Sequence, residues 1–312
     1  MPPRQHRAPR PRLVTVLLLL GAVAWGSTYL CAKSLLPDAA YAPVLVASRM
    51  LISATVLALF ATFVRRRRPT ASEVRSGILF GLPLSAVFAL ENYGIALTSV
   101  TNAGVLISLC IVLVPFAETA VRRTRVNPVL VLLCIVAVIG AVLLVSGAGF
   151  SAPGLGDLLI LGAALARVVH VTTSSAVQDR HPTDPFWVTA IQLATVGVVF
   201  VIVCVVIGAP VGAFIAGLTG PAIVALLYLS VVAGAFVFAI QTWGIAVTSA
   251  AHASLLLGTE PVWAALFGII LAGDRLDPLG AVGIVLTLSA VLAAQRVSAS
   301  APRIAREVGV RS

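Results

Sequence analysis

Charge is what this chain has least of. Only 10% of its 312 residues are Asp, Glu, Lys or Arg, against roughly 25% in an ordinary soluble domain. With 60% hydrophobic residues, this excludes a water-solvated surface and points to an integral membrane protein. Strand-like alternation is also missing. Backbone groups in lipid must be satisfied internally, so a spanning chain is helical or a closed barrel. The apolar runs, each about 20 residues, are too long and too uniform for barrel strands. Cysteine is sparse: Cys31, Cys110, Cys134 and Cys204 all fall inside apolar runs and form no CxxC. They read as small packing residues, which excludes a disulfide framework or a thiolate metal site. No HExxH, GxxxxGK[ST] or GxSxG motif is present, so neither a catalytic constellation nor a phosphate loop is legible. No cofactor or metal is expected, and the chain does not read as an enzyme or as an ATP-driven pump.

What is present is a series of ten candidate spans: 13–33, 43–63, 76–97, 102–121, 128–148, 156–176, 186–208, 221–245, 250–272 and 278–296. Short connections with turn chemistry separate them, such as Pro37-Asp38, Asn127-Pro128 and Asp277-Pro278. The first 24 residues imitate a signal peptide, ending in Ala22-Val23-Ala24. The apolar run continues to Ala32, so an uncleaved first helix is the better reading. The net charge of +10 could suggest nucleic acid, but the arginines sit in short loops and at both ends. Placing the N-terminus in the cytoplasm puts 17 of the 21 basic residues on that side, as the positive-inside rule requires. The predicted location is the inner or plasma membrane, with both termini cytoplasmic and no nucleic-acid partner.

The chain also repeats itself. Residues 242–256, TWGIAVTSAAHASLL, echo 92–106, NYGIALTSVTNAGVL, at an offset of 150, with seven of fifteen positions identical. A period near half the chain length means two copies of one unit. Five spans per copy is an odd number, so the second copy enters the membrane from the other side. The prediction is an all-α membrane protein of ten transmembrane helices in two inverted five-helix repeats. Its divisions are a basic N-terminus (1–12), a first repeat (13–148), a second repeat (149–296) and a basic tail (297–312). Inverted repeats are the structural basis of alternating access in secondary transporters.

The motifs Trp25-Gly26-Ser27-Thr28-Tyr29 with Lys33, Arg49, Thr98-Ser99 with Asn102-Ala103, Val114-Pro115, Thr248-Ser249-Ala250 and Glu260-Pro261-Val262 occur in order. Over residues 13–296 they make the chain resemble the drug/metabolite transporter superfamily, in its EamA-type branch. The resemblance implies a transporter of small solutes with a cavity between the repeats. It departs at span 6, where such proteins usually carry a Trp like Trp25 and this chain reads Ala166-Arg167. Asp274 stands where a Glu often follows span 9.

Ionisable groups inside the hydrocarbon cost about 2.5–3.5 kcal/mol on insertion scales and by default mark function. The candidates are Arg49, Glu91, Glu118, Arg167, His170 and Glu260. Arg167, His170 and Ser174 fall at i, i+3 and i+7, on one face of span 6. That stripe reads as an anion-binding or proton-relay face, or as an arginine buried against a glutamate for packing. Glu260 precedes Pro261, which frees a carbonyl one turn earlier. It reads as a proton-coupling carboxylate or as a structural one, and His252, Thr259 and Trp263 share a face beside it. Glu118 lies one turn before Arg122 and reads as an interfacial pair. Asn92 follows Ser85 by seven residues on an inward polar stripe, and Trp25, Thr28 and Tyr29 form an aromatic-polar face. Asn102, Gln192 and Gln241 complete the candidate site; the resemblance favours the cavity for Arg49 because Gln192 lies near its equivalent position. The predicted function is secondary active transport, as an exporter, of a small metabolite or amino-acid-like solute. Protons are the candidate coupling ion and the bilayer the medium. Oligomeric state is not legible. A lipid or lipid-linked-sugar flippase and a membrane-embedded enzyme or structural subunit are the alternatives.

Overall fold

The structure, a computed structural model, describes residues 11–122, 127–146, 153–180, 183–247, 253 and 256–300. These residues are helical throughout apart from short connections, with no strand among them. The elements are α1 (Pro11–Ser34), α2 (Ala42–Arg65), α3 (Ala71–Leu97), α4 (Val100–Ile107), α5 (Leu109–Arg122), α6 (Pro128–Ser146) and α7 (Leu155–Arg180). They continue with α8 (Pro185–Ile207), α9 (Val211–Ala216), α10 (Gly220–Leu227), a π-helical segment (Tyr228–Phe236), α11 (Val237–Val247), α12 (Glu260–Ile270) and α13 (Pro278–Ser300). Among the described residues seven helices are long and apolar enough to cross a membrane, and three shorter apolar ones cover Val100–Val114, Pro128–Leu144 and Glu260–Ile270.

Local chemistry explains the ends. Thr70 and Glu73 form a capping box that starts α3 at Ala71, earlier than the apolar run at 76 suggests. That box satisfies two of the donors a helix N-terminus leaves open. Asp184 accepts from the backbone N–H of Phe186 to start α8, and Gly208 ends it in the left-handed region, at φ 63°. The fourth rod is broken at Ser108, between α4 and α5. The eighth is widened into nine π-helical residues, and such widening often accompanies function. The two mid-span irregularities occupy matching places. Pro83 lies inside α3, where it removes one backbone donor, and Ala233, 150 positions later, lies within the π segment. The short helix α9 is an addition that the apolar pattern did not announce.

The packing is reciprocal. Helix α2 lies on α8, α6 on α13 and α4 on α12. Contact of α3 with α7 is answered by α1 with the π segment and α11, and α3 with α8 by α2 with the π segment. Contact of α1 with α12 is answered by α7 with α4 and α5. Adding 150 to the first-repeat partner, and removing it from the other, converts each of these contacts except that of α4 with α12 into one that is observed. At the α6–α13 crossing this is visible in single atoms. Thr287 Oγ1 donates to the carbonyl of Ala137, 150 residues away, at 3.3 Å. A Cβ on Gly140 would lie 2.5 Å from that hydroxyl, and one on Gly283 would lie 2.5 Å from the Gly140 carbonyl. Glycine there lets two helices touch backbone to backbone.

The outside of the bundle is apolar: Val205, Val206, Phe63 and Ile270 are all exposed. That is the surface hydrocarbon accepts.

Candidate functional site

Charged side chains converge inside the bundle from both repeats. Arg167 of α7 donates to Glu91 of α3 at 2.9 Å. The Tyr29 hydroxyl of α1 donates to Oε1 of Glu260, the first residue of α12, at 2.8 Å. Glu91 is 7% exposed and Tyr29 only 1%, so both contacts are made away from the surface. Tyr29 also interacts electrostatically with Glu91 and Arg167, so the two contacts belong to one network. Cys110 of α5 borders it, within the field of Arg167, Glu260 and Glu91.

Arg49 of α2 adds a cation. It is buried, its guanidinium lies 5.5 Å from the centre of the Phe88 ring, and it interacts electrostatically with Glu91 and Tyr29. Its Nε has no hydrogen-bond partner among the described residues. A buried arginine resting on an aromatic face with a donor left over is equipped to receive an anionic group.

His170 lies one turn beyond Arg167, and its ring interacts with Gln192 of α8. Its Nε2, the Thr172 and Ser174 hydroxyls and Oδ1 of Asn92 are buried without a hydrogen-bond partner among the described residues. The Asn92 amide donates to the Phe88 carbonyl at 2.9 Å. The stripe on α7 therefore splits: Arg167 faces α3 and His170 faces α8.

Other candidates are committed elsewhere. Trp25 Nε1 donates to the Ala233 carbonyl of the π segment at 2.8 Å, and its ring meets Phe238 edge-on at 5.4 Å. Thr28 Oγ1 donates to the Trp25 carbonyl of its own helix at 2.6 Å. Trp263 Nε1 donates to Thr259 Oγ1 at 3.3 Å. Gln241 sits half-buried on α11. His252 lies outside the described residues, and so does most of the second copy of the repeated turn.

Asn102 belongs to a separate cluster at the rim where α3 meets α4. Its amide donates to Asp157 Oδ1 at 3.0 Å, and the Thr98 hydroxyl donates to the same oxygen at 2.5 Å. Lys33 Nζ donates to the carbonyls of Ile95, Ala96 and Thr98 at 2.9, 2.9 and 2.7 Å. The backbone N–H of Thr101 donates to Asp274 Oδ2 at 2.7 Å. Asp157 and Asp274 were not among the expected site residues. Asp157 is an acid in the first turn of a helix, where capping is the ordinary reading, and nothing local ties it to residues 98–102. At the other end of α3, Arg67 grips Glu73 at 2.7 Å and Asp184 at 3.4 Å. Among the described residues no group of three or more His, Cys, Asp or Glu is placed to hold a metal ion.

Comparison with known proteins adds three findings. A model of the EamA-like transporter family matches the chain twice, over residues 12–146 and 154–294. No curated protein matches it. A solved structure described as "Crystal structure of protein" is similar with a TM-score of 0.61 at 18% identity, over 92% of this chain and 99% of that one. At that identity the likeness is one of fold.

Proposed function

The chain belongs to the EamA-like transporter family, a branch of the drug/metabolite transporter superfamily, and from that premise we propose that it is a secondary active exporter of a small metabolite or amino-acid-like solute. The observation that carries this reading is the network of Tyr29, Arg49, Glu91, Arg167 and Glu260. It draws on α1, α2 and α3 from one repeat and on α7 and α12 from the other. A site built from both repeats is remade whenever they move against each other, which is what alternating access needs. Both signs of charge are available, and this suits a solute carrying an amine and a carboxylate. Arg49 receives the anionic end, and Glu260 or Glu91 the cationic one.

The ten-span inverted arrangement, with cytoplasmic termini in the inner or plasma membrane, belongs to the same proposal. The reciprocal contacts support it, because a two-fold relation between five-helix units pairs helices in this manner. The rim cluster around Asp157 and Asp274 closes the end of the bundle that this orientation places outside.

Protons drive export through Glu260 or His170. The test is uptake into proteoliposomes under an imposed pH gradient. Glu260→Gln and His170→Ala, each purified and folded, are compared with the wild type, using a solute found by ligand-stabilisation screening of metabolites. Loss of gradient-driven uptake with exchange retained in either variant assigns the coupling residue. Unchanged uptake in both removes them from the mechanism.

A further inference from the structure

On its membrane face the bundle carries an apolar groove of about 270 Å³ between α2 and the eighth rod, lined among others by Leu57, Phe60, Ala235, Phe236, Ala239 and Trp243. Two of these lining residues, Phe60 and Phe236, are 43% and 55% exposed. None of the residues of the charged network lines the groove. Ser53 lies one turn above it on α2, fully buried, and donates at 2.7 Å to the Ser230 carbonyl. Gly234 packs against that hydroxyl, so the seam is sealed on the side of Arg49.

In the other direction the same face of α2 runs through exposed Val64 to a run of four arginines, Arg65–Arg68. Arg67 is held by Glu73 and Asp184. Arg66 and Arg68 are exposed, and no acid is bonded to either among the described residues. Arg66 holds φ at 50°, the left-handed region, and caps α2 through its backbone N–H to the Thr62 carbonyl. Glycine or asparagine would take that conformation more readily, so a charged side chain is kept at a position that disfavours it. Along the helix, Arg66 is about 9 Å beyond Phe60 at 1.5 Å per residue. A glycerol backbone with its ester linkages spans such an interval.

We propose that this groove and Arg66 and Arg68 form one binding site for an anionic phospholipid: an acyl chain lies between α2 and the eighth rod, and the phosphate is held by the two arginines. Zwitterionic lipids carry the same phosphate, but the cationic amine beside it offsets the attraction to the two arginines. Basic clusters at the end of a membrane helix attract anionic headgroups in this way, and the apolar cleft gives the contact a fixed place. The seal at Ser53 makes this a resident lipid, bound beside the transport path. The proposal therefore stands or falls independently of the solute.

The test is native mass spectrometry of the full-length purified protein, titrated with phosphatidylglycerol or phosphatidylcholine of identical chains. Wild type is expected to retain one phosphatidylglycerol at least about tenfold better than phosphatidylcholine, the order expected from two arginines near the surface. Arg66→Gln with Arg68→Gln should bring phosphatidylglycerol down to the phosphatidylcholine level. Ala239→Phe, which fills the groove, should reduce both lipids, with Val56→Phe as a second filling variant should the first not fold. Equal retention of the two lipids by wild type overturns the proposal. So does a preference that survives loss of both arginines, or groove filling without effect.

Discussion

At the scale of the residue, Glu91 and Arg167 decide whether the buried charge is architecture or chemistry. A buried pair is weak support for stability, because desolvation offsets the attraction. Removing one partner is severe, about 3–5 kcal/mol, because the other is left uncompensated. Arg167→Met is therefore expected to lower the thermal midpoint strongly, and Glu91→Gln added to Arg167→Met to restore most of it. Thermal unfolding of the purified variants measures both. The double variant, once folded, is expected to remain inactive in transport; if it transports normally, the pair is a structural one only. Each of these residues was legible in the sequence as an ionisable group inside an apolar run. An arginine set against a glutamate was one reading of Arg167, but which glutamate was not legible, since 76 residues separate Glu91 from Arg167 and 231 separate Tyr29 from Glu260. Trp25 shows the limit in the other direction. Its mid-span place and its neighbours Thr28 and Tyr29 mark an aromatic-polar face. Only packing shows the indole N–H spent on Ala233.

At the scale of the element, close approach of backbones governs which glycines matter. A Cβ on Gly26 of α1 would lie 2.6 Å from the Trp263 Cβ and 2.9 Å from the Ala264 nitrogen of α12. A Cβ on Gly162 of α7 would meet only the ends of Leu90, at 3.4 Å. Gly26→Ala must push α1 and α12 apart and is expected to cost about 1–3 kcal/mol. Gly162→Ala gains helix propensity and is expected to be neutral or stabilising by up to about 1 kcal/mol. Parallel melting curves of the two variants separate these outcomes, and equal losses would refute the close-approach account. The sequence shows both residues alike, as small residues in apolar helices. Helix ends leave a more local signal, because caps are written in consecutive residues, as in Thr70-x-x-Glu73 and Asp184-Pro185, although hydropathy alone starts the third span at 76. The break at Ser108 and the π segment leave none. Both occur in runs whose hydropathy continues without interruption.

At the scale of the whole molecule, the rim cluster ties the α3–α4 junction to α1, α7 and the segment after α12. Asp157, Asp274 and Lys33 supply the side chains. The positions 150 residues from these are Arg7, Thr124 and Thr183, which cannot rebuild the same set of hydrogen bonds at the other end. The proposed exporter thus carries at one end of its pathway a polar latch whose side chains are not repeated at the matching sequence positions. Asp157→Ala with Asp274→Ala is expected to open that end more often. In a protein keeping Cys110 as its sole cysteine, this should appear as labelling by a small thiol reagent several-fold faster than with the latch intact. Cys110 is suited to report it, being buried and bordering the charged network. An unchanged rate would separate the latch from access.

By itself the sequence determined the class of protein, its all-helical character, the doubling of the unit and the roster of ionisable residues. Each of these depends on the composition or spacing of residues close together along the chain, or on direct likeness between two stretches. The tertiary structure alone decided which charges meet, which glycines face a neighbour's backbone, where a rod widens and which end is latched. Those outcomes depend on residues brought together across tens to hundreds of positions. There, shape and the need to satisfy each buried polar group choose among partners that the order of residues leaves equivalent.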